Sequence, residues 1–218
     1  MILITSMGGC ASTSFIAWSQ RRVKCNCAIN SEGIRNKGPG SNPKGLKHRK
    51  SPPTQNDPYL FRKNSFDRTD LNEGPIKRAV FLYDNPYSMT LSLFRRNIAG
   101  GHAMAVTGNR PSHANKLSTF LELKKDSFGF NEQFKAWSQK NNKIDYPILM
   151  VNFNSMWENI DHIFGFMGID LSHKKTFLRK NERQDRFASL NQTDKNALKE
   201  IYGELDSTMK KFAGVHIV

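Results

Sequence analysis

The chain has 218 residues and a formal net charge of +14 at pH 7, with 38% hydrophobic and 11% aromatic residues. This length and composition predict one globular domain spanning residues 1–218, and the positive charge favours an anionic partner. No apolar run reaches the length of a membrane span, and the short apolar start leads directly into a loop, so neither a spanning helix nor a secretory signal is expected.

The chain contains three cysteines, Cys10, Cys25 and Cys27, which is an odd number with no paired framework. Such usage favours a reducing compartment, and we expect a cytoplasmic protein. The Cys25-x-Cys27 pair lacks the two-residue spacer of a zinc knuckle and has no second pair. A structural metal is therefore not expected.

The first predicted element is a strand at Ile2–Thr5, followed by a loop of small residues and a helix over residues 12–22. Such a unit can cradle an anion, because glycines allow close backbone approach and N–H groups at a helix start point towards negative charge. An ordinary strand-to-helix turn with a hydroxyl cap is the alternative. A nucleotide-kinase loop is excluded, since no lysine lies between Met1 and Arg22. The candidate anion-binding residues are Gly8, Gly9, Cys10, Ala11, Ser12, Thr13 and Ser14.

A basic segment follows between Arg21 and Lys50, with nine basic residues and one acidic residue. Such a concentration of charge attracts polyanions or a multiply charged nucleotide; a solvated loop and a nucleic-acid groove are the alternatives. Within it, residues 31–45 predict a loop, and residues 46–50 predict a short extended segment that the following prolines end.

Strands and helices alternate along the rest of the chain. A helix that begins at Pro86 is expected to end at Gly100-Gly101, with a loop over residues 99–113. The other predicted elements are strands at 79–83 and 147–151 and helices around 114–124, 129–140, 156–167 and 193–213. This alternation predicts an α/β fold with a mainly parallel central sheet flanked by helices in three layers. Ligands of such sheets bind at the carboxyl ends of strands, where the Ser6–Ser14 loop and the Asp84–Ser92 segment converge.

Two of these segments carry a family resemblance. The loop Gly9–Phe15 follows an apolar strand and contains a hydroxyl pair and an aromatic residue; Asp84-Asn85-Pro86 follows another strand, with Ser92 eight residues after Asp84. Three further segments share the resemblance, namely Lys50-Ser51-Pro52, Pro147 to Ile169, and Phe177 to Arg186. In this order they resemble the P-loop sulfotransferase family, which transfers a sulfuryl group from PAPS (3′-phosphoadenosine-5′-phosphosulfate) to an acceptor.

Four positions depart from the family pattern. In the first loop, Cys10 replaces the usual basic residue and Ser12 replaces a glycine. Asp84 stands where the family has an arginine before Asn-Pro, and Asn154 replaces a glutamate. A carboxylate at the position of Asp84 repels a phosphate at contact distance unless a cation intervenes.

The resemblance implies that the chain is a P-loop-type domain that binds PAPS or its product, 3′,5′-adenosine bisphosphate, together with an unidentified hydroxyl or amine acceptor. It implies that residues 8–14 bind the 5′-phosphosulfate and that Ser92 binds the 3′-phosphate, with Asp84 at the place of the missing arginine. The candidates to compensate for that arginine are Arg95, Arg96 and the arginines of residues 179–186.

Sulfuryl transfer needs cationic donors around the departing group and a base for the acceptor's proton. The candidate catalytic residues are His48 as the base, with Lys47, Arg49 and Lys50 as donors. His102 and His113 are secondary candidates for the base, and Cys10 is a candidate nucleophile at a helix start. The Gly-x-Ser-x-Gly motif of a serine hydrolase is absent.

Two functions are compatible with these features. The first is a PAPS-dependent sulfotransferase, favoured by the hydroxyl-rich loop and the Asn85-Pro86 to Ser92 spacing. The second is a non-catalytic scaffold of the same type that binds nucleic acid or another polyanion through residues 21–50, favoured by the missing basic residues. The enzyme is our preferred hypothesis.

Overall fold

The computed structural model describes residues 1–10, 12–26, 49–56, 75–108, 116–180 and 185–218. These residues form an α/β fold with a four-stranded sheet in the order β1-β2-β3-β4. The strands are β1 (Ile2–Ser6), β2 (Arg78–Tyr83), β3 (Ile148–Asn152) and β4 (Val215–Ile217). The first three are parallel, and β4 pairs antiparallel with β3. The prediction of a mainly parallel sheet flanked by helices is therefore confirmed.

The three parallel strands are continuous apolar runs because they are covered on both faces. Every residue of β1 is buried, and only Arg78 and Asn152, at the ends of β2 and β3, have appreciable exposure. The other edge of β1 is also occupied. Asn26 accepts a hydrogen bond from the Ile4 N–H at 2.6 Å and donates one to the Ile4 carbonyl at 2.9 Å, so its side chain pairs with β1 as a strand would.

Seven α-helices occur in the described part of the chain. They are α1 (Ser12–Ser19), α2 (Pro86–Arg95), α3 (Ala99–Thr107), α4 (Leu117–Leu123), α5 (Phe130–Ser138), α6 (Ile160–Met167) and α7 (Gln192–Lys210). Short 3₁₀ helices span Phe153–Ser155 and Leu171–Thr176. None of these helices is long and apolar enough to cross a membrane.

The predicted loop over 99–113 is wrong for its first half, which forms α3. Gly100-Gly101 begins this helix instead of ending α2, which stops at Arg95 before Asn97 takes a positive φ of 52°. Ala99, Ala103 and Val106 are buried on one side of α3. Two glycines cost a helix about 1 kcal/mol each, and the burial of this apolar face outweighs that cost.

Two other boundaries differ from the predictions. The helix expected from Met156 begins at Ile160, after a 3₁₀ turn that the Asn152 side chain caps. The last helix ends at Lys210, and Gly214, with a φ of +95°, instead leads into β4. A three-residue strand is too short to show a pattern of its own in the sequence.

Aromatic side chains hold α5 against the sheet. Phe81 and Tyr83 lie on one face of β2, as residues two apart in a strand do. Trp137 stacks on Phe81 with 4.9 Å between ring centroids, and Phe134 packs edge-on against Tyr83 at 5.2 Å. This contact fixes α5 near the carboxyl ends of the parallel strands.

Candidate functional site

The candidate site lies at the carboxyl ends of β1, β2 and β3. Because the three strands are parallel, the segments that follow them meet at the same edge of the sheet. These segments are the turn 7–10, the Asp84-Asn85 pair and the 3₁₀ turn at 153–155.

The turn after β1 depends on its two glycines. Gly8 and Gly9 have φ values of +96° and +73°, which other residues rarely adopt. A Cβ at Gly8 would lie 2.5 Å from Cε1 of His102, and a Cβ at Gly9 would lie 3.1 Å from Cα of Met89. The turn is therefore packed closely between α2 and α3.

Much of this turn is bonded within the protein. The Met7 N–H donates to the Leu82 carbonyl at 3.1 Å, and the Gly8 N–H donates to Ser6 Oγ at 3.3 Å. The Cys10 thiol donates to the Gly8 carbonyl at 2.9 Å and is fully buried, as is usual for a small core residue. The Met7 and Gly8 amides are thus engaged in the fold itself.

The hydroxyl groups after the turn differ in exposure. Ser12 is buried, whereas Thr13 and Ser14 are exposed in the first turn of α1. An N–H-rich helix start with exposed hydroxyls is a favourable place for an anion. Ala11 lies outside the described residues.

The basic segment reaches β1 at Arg49. The Arg49 N–H donates to Thr5 Oγ1 at 3.4 Å, and its carbonyl accepts hydrogen bonds from Gln133 Nε2 at 2.8 Å and Trp137 Nε1 at 3.0 Å. The next residue, Lys50, forms an ion pair with Glu132 of α5. Lys47, His48 and His113 lie outside the described residues, so their roles stay predictions.

Two departures from the family pattern contact each other. Asp84 is 1% exposed, and its Oδ1 accepts hydrogen bonds from the Asn85 N–H at 2.7 Å and from Asn154 Nδ2 at 2.6 Å. Asp84 and Asn154 are thus bonded to each other, at the two positions where the resembled family has an arginine and a glutamate. An amide donor complements a carboxylate here, so the two departures are chemically consistent with each other.

Asn85 connects the start of α2 to α7. Its Oδ1 caps α2 by accepting from the Tyr87 and Ser88 N–H groups at 3.0 and 3.1 Å. Its Nδ2 donates to Asp206 at 2.9 Å, and Asp206 pairs with Lys210 at 2.7 Å. Burial, together with the Asp206 carboxylate, raises the pKa of the Tyr87 hydroxyl.

Ser92 lies on the side of α2 that carries Met89, one turn further along the helix. It is half-buried and, at 1.5 Å per residue, stands about 9 Å from the helix start at Pro86. Arg95 and Arg96 are exposed at the end of α2, where Arg96 Nε donates to the Ser92 carbonyl at 3.1 Å. The structure therefore brings Met89, rather than Ser92, against the glycine turn.

Sequence reasoning missed how Phe177 and Phe187 are anchored. Phe177 packs against Phe15 and Trp18 of α1, with centroid distances of 6.1 and 4.9 Å. Phe187 stacks on Tyr87, in the first turn of α2, at 4.4 Å. Aromatic residues near the two ends of a polar, arginine-containing stretch were the available signal.

The two aromatic anchors contact different parts of their helices: Phe177 lies closer to Trp18, near the end of α1, than to Phe15, and Phe187 lies at the start of α2. Phe15 and Tyr87 lie in the first turns of the helices that follow β1 and β2. Phe187 therefore lies beside the start of α2 at the carboxyl edge of the sheet, whereas Phe177 packs along α1. Arg179 and Arg186, which are close to these two anchors in the sequence, are both exposed.

A cavity of about 410 Å³ lies at the opposite edge, where the parallel strands begin. Its lining includes three exposed basic residues, Lys24, Lys77 and Arg78. This cavity does not contact the glycine turn. In the described residues no group of three or more His, Cys, Asp or Glu side chains could hold a metal ion.

No protein-family model, curated protein or solved structure matches this chain.

Proposed function

We propose that the chain is a divergent P-loop-type sulfotransferase that binds PAPS at the carboxyl edge of the sheet. It transfers the sulfuryl group to a hydroxyl or amine of an acceptor. The observation that carries the proposal is the turn of Gly8 and Gly9 at the carboxyl end of β1, which leads into a helix start where Thr13 and Ser14 are exposed. The exposed Arg186, next to Phe187, which stacks on the first turn of α2, is the candidate cation on the neighbouring strand's side.

The proposed chemistry is stabilisation of negative charge. In sulfuryl transfer, charge develops on the transferred oxygens and on the oxygen that leaves with the bisphosphate. In the proposed site, Thr13, Ser14 and the start of α1 donate hydrogen bonds to the 5′ end of the nucleotide. Arg179 and Arg186 supply the cationic donors that Cys10 and Asp84 do not.

The base in this proposal is His48, which precedes Arg49 in the sequence. The Arg49 main chain is bonded to Thr5, near the carboxyl end of β1, and this supports a catalytic role for the neighbouring residues. Lys47 and Lys50 are the proposed donors beside the base. The base takes the acceptor's proton while the sulfuryl group moves to the acceptor oxygen or nitrogen.

Calorimetric titration with 3′,5′-adenosine bisphosphate tests this function. We expect Arg186→Ala to raise the Kd about 10- to 100-fold, because a hydrogen bond to a charged group contributes about 1.5–3 kcal/mol. Thr13→Ala removes a neutral donor and is expected to raise the Kd about 2- to 10-fold. Lys199→Ala and Thr193→Ala, which change exposed residues of α7, are the matched controls.

Two results would count against the enzyme. One is the absence of binding at millimolar bisphosphate. The other is an equal effect of the site variants and the α7 controls, since binding would then take place elsewhere.

A non-catalytic polyanion-binding scaffold is the second candidate. It is favoured by Asp84, a buried carboxylate that stands at the position of the family's phosphate-binding arginine. If the chain is such a scaffold, we expect it to bind single-stranded RNA or duplex DNA. This binding should weaken steeply as the salt concentration rises and should not change in Thr13→Ala. Arg21 and Lys24, both exposed at the start of the basic segment, are the residues to substitute for that measurement.

A further inference from the structure

We propose that His102 is the positioning residue of the Gly8–Gly9 turn, an inference that rests on the proposed function of that turn in nucleotide binding. His102 belongs to α3 and is 6% exposed. Its Cε1 and Nδ1 atoms lie 2.5 and 2.9 Å from the place where a Cβ of residue 8 would be. The imidazole therefore occupies the volume that a side chain at Gly8 would fill.

The ring is held from its other side by aromatic residues. Phe128 and Phe130 pack edge-on against His102, with centroid distances of 6.1 and 5.7 Å. Both phenylalanines are fully buried, so the imidazole has no free space into which to withdraw. A change at His102 is therefore expected to move the turn.

The turn leads directly into α1. Gly9 is backed by the Cα atom and carbonyl of Met89, a backbone contact that no substitution at residue 89 removes. His102, by contrast, supports the turn through its side chain. The position of Thr13 and Ser14 relative to the sheet edge thus depends on this ring, because the turn sets where α1 begins.

A double-mutant cycle tests the proposal with Gly8→Ala, His102→Ala and both together, measured by bisphosphate Kd and by Tm. We expect each single change to raise the Kd at least about tenfold, since small displacements of binding groups are costly. In the His102→Ala background, adding Gly8→Ala should raise the Kd by a clearly smaller factor than it does in the wild type, because the steric conflict is absent and only the strain of the positive φ remains. His102→Leu keeps a side chain of similar volume without ring nitrogens and is expected to keep the Kd within about threefold.

A matched control pair lies on α6. Gly165 has no atom within 4 Å of its would-be Cβ, and His162, three residues earlier, is exposed. Gly165→Ala and His162→Ala should leave the Kd unchanged and show no coupling. Should His102→Ala not fold, His102→Asn takes its place in the cycle.

The outcomes separate this inference from the proposed function. If the wild type binds the bisphosphate and His102→Ala lowers only the Tm, His102 is a structural residue and the inference is overturned. If His102→Leu loses affinity as His102→Ala does, the ring nitrogens rather than the side-chain volume matter, and positioning by packing is again overturned. If the wild type binds no bisphosphate, the proposed function and this inference fail together, whatever coupling the Tm shows.

Discussion

Asp84→Ala is expected to lower the free energy of unfolding by about 2–4 kcal/mol. The substitution leaves the Asn85 N–H and Asn154 Nδ2 without their acceptor at a position that is 1% exposed. An unsatisfied buried donor costs about 1–3 kcal/mol. Asp84→Asn, which keeps one acceptor oxygen, is expected to cost about 1 kcal/mol. Urea denaturation measures the free energy of unfolding of both variants, with Glu122→Ala, a change of an exposed residue of α4, as the control.

The hydrogen bond between Asp84 and Asn154 also predicts the effect of placing an arginine at position 84. Asp84→Arg alone should be more destabilising than Asp84→Ala, because it places a second donor against Asn154 and buries an unpaired charge. Adding Asn154→Glu supplies a carboxylate partner and should recover part of the loss. Full stability of the single Asp84→Arg variant, or no recovery in the double variant, would contradict the pairing described here.

Trp137→Ala is expected to lower the free energy of unfolding by about 3–5 kcal/mol, the usual range for a buried tryptophan. Trp137 is fully buried, stacks on Phe81 and donates a hydrogen bond to the Arg49 carbonyl. Trp137→Phe keeps a stacking ring but loses the indole N–H, so it should cost about 1–3 kcal/mol. Thermal and urea unfolding of these variants give the comparison.

Trp137 also contributes to the candidate site, because it donates a hydrogen bond to the Arg49 carbonyl. Loss of its N–H removes this hydrogen bond, so Trp137→Phe should weaken bisphosphate binding more than its loss of stability alone implies. Lys135→Ala, an exposed change on the same helix, should affect neither property. A Trp137→Ala variant as stable as Lys135→Ala would contradict the packing of α5 on the sheet.

The sheet could be predicted well because its signal is local. Residues 79–83 and 147–151 are continuous apolar runs, and strands buried on both faces require such runs. Gly100-Gly101 misled the prediction, since glycine usually weakens a helix, whereas the buried face of α3 stabilises one here. Local propensity does not report tertiary burial.

The site was harder to predict because its contacts join distant parts of the chain. Asp84 and Asn154 could be identified singly as departures from the family pattern, but their hydrogen bond follows from the pairing of β2 with β3. His102 fell within a predicted loop, and its contact with Gly8 requires knowledge of α3. Such contacts depend on the order in which strands and helices pack, and a local sequence pattern does not predict that order.

A crystal of the full chain soaked with 3′,5′-adenosine bisphosphate tests the central claim most directly. We expect density for the nucleotide at the carboxyl edge of the sheet, beside Thr13 and Ser14. Density confined to the basic cavity at the opposite edge, beside Lys77 and Arg78, or no density at millimolar ligand, would contradict it.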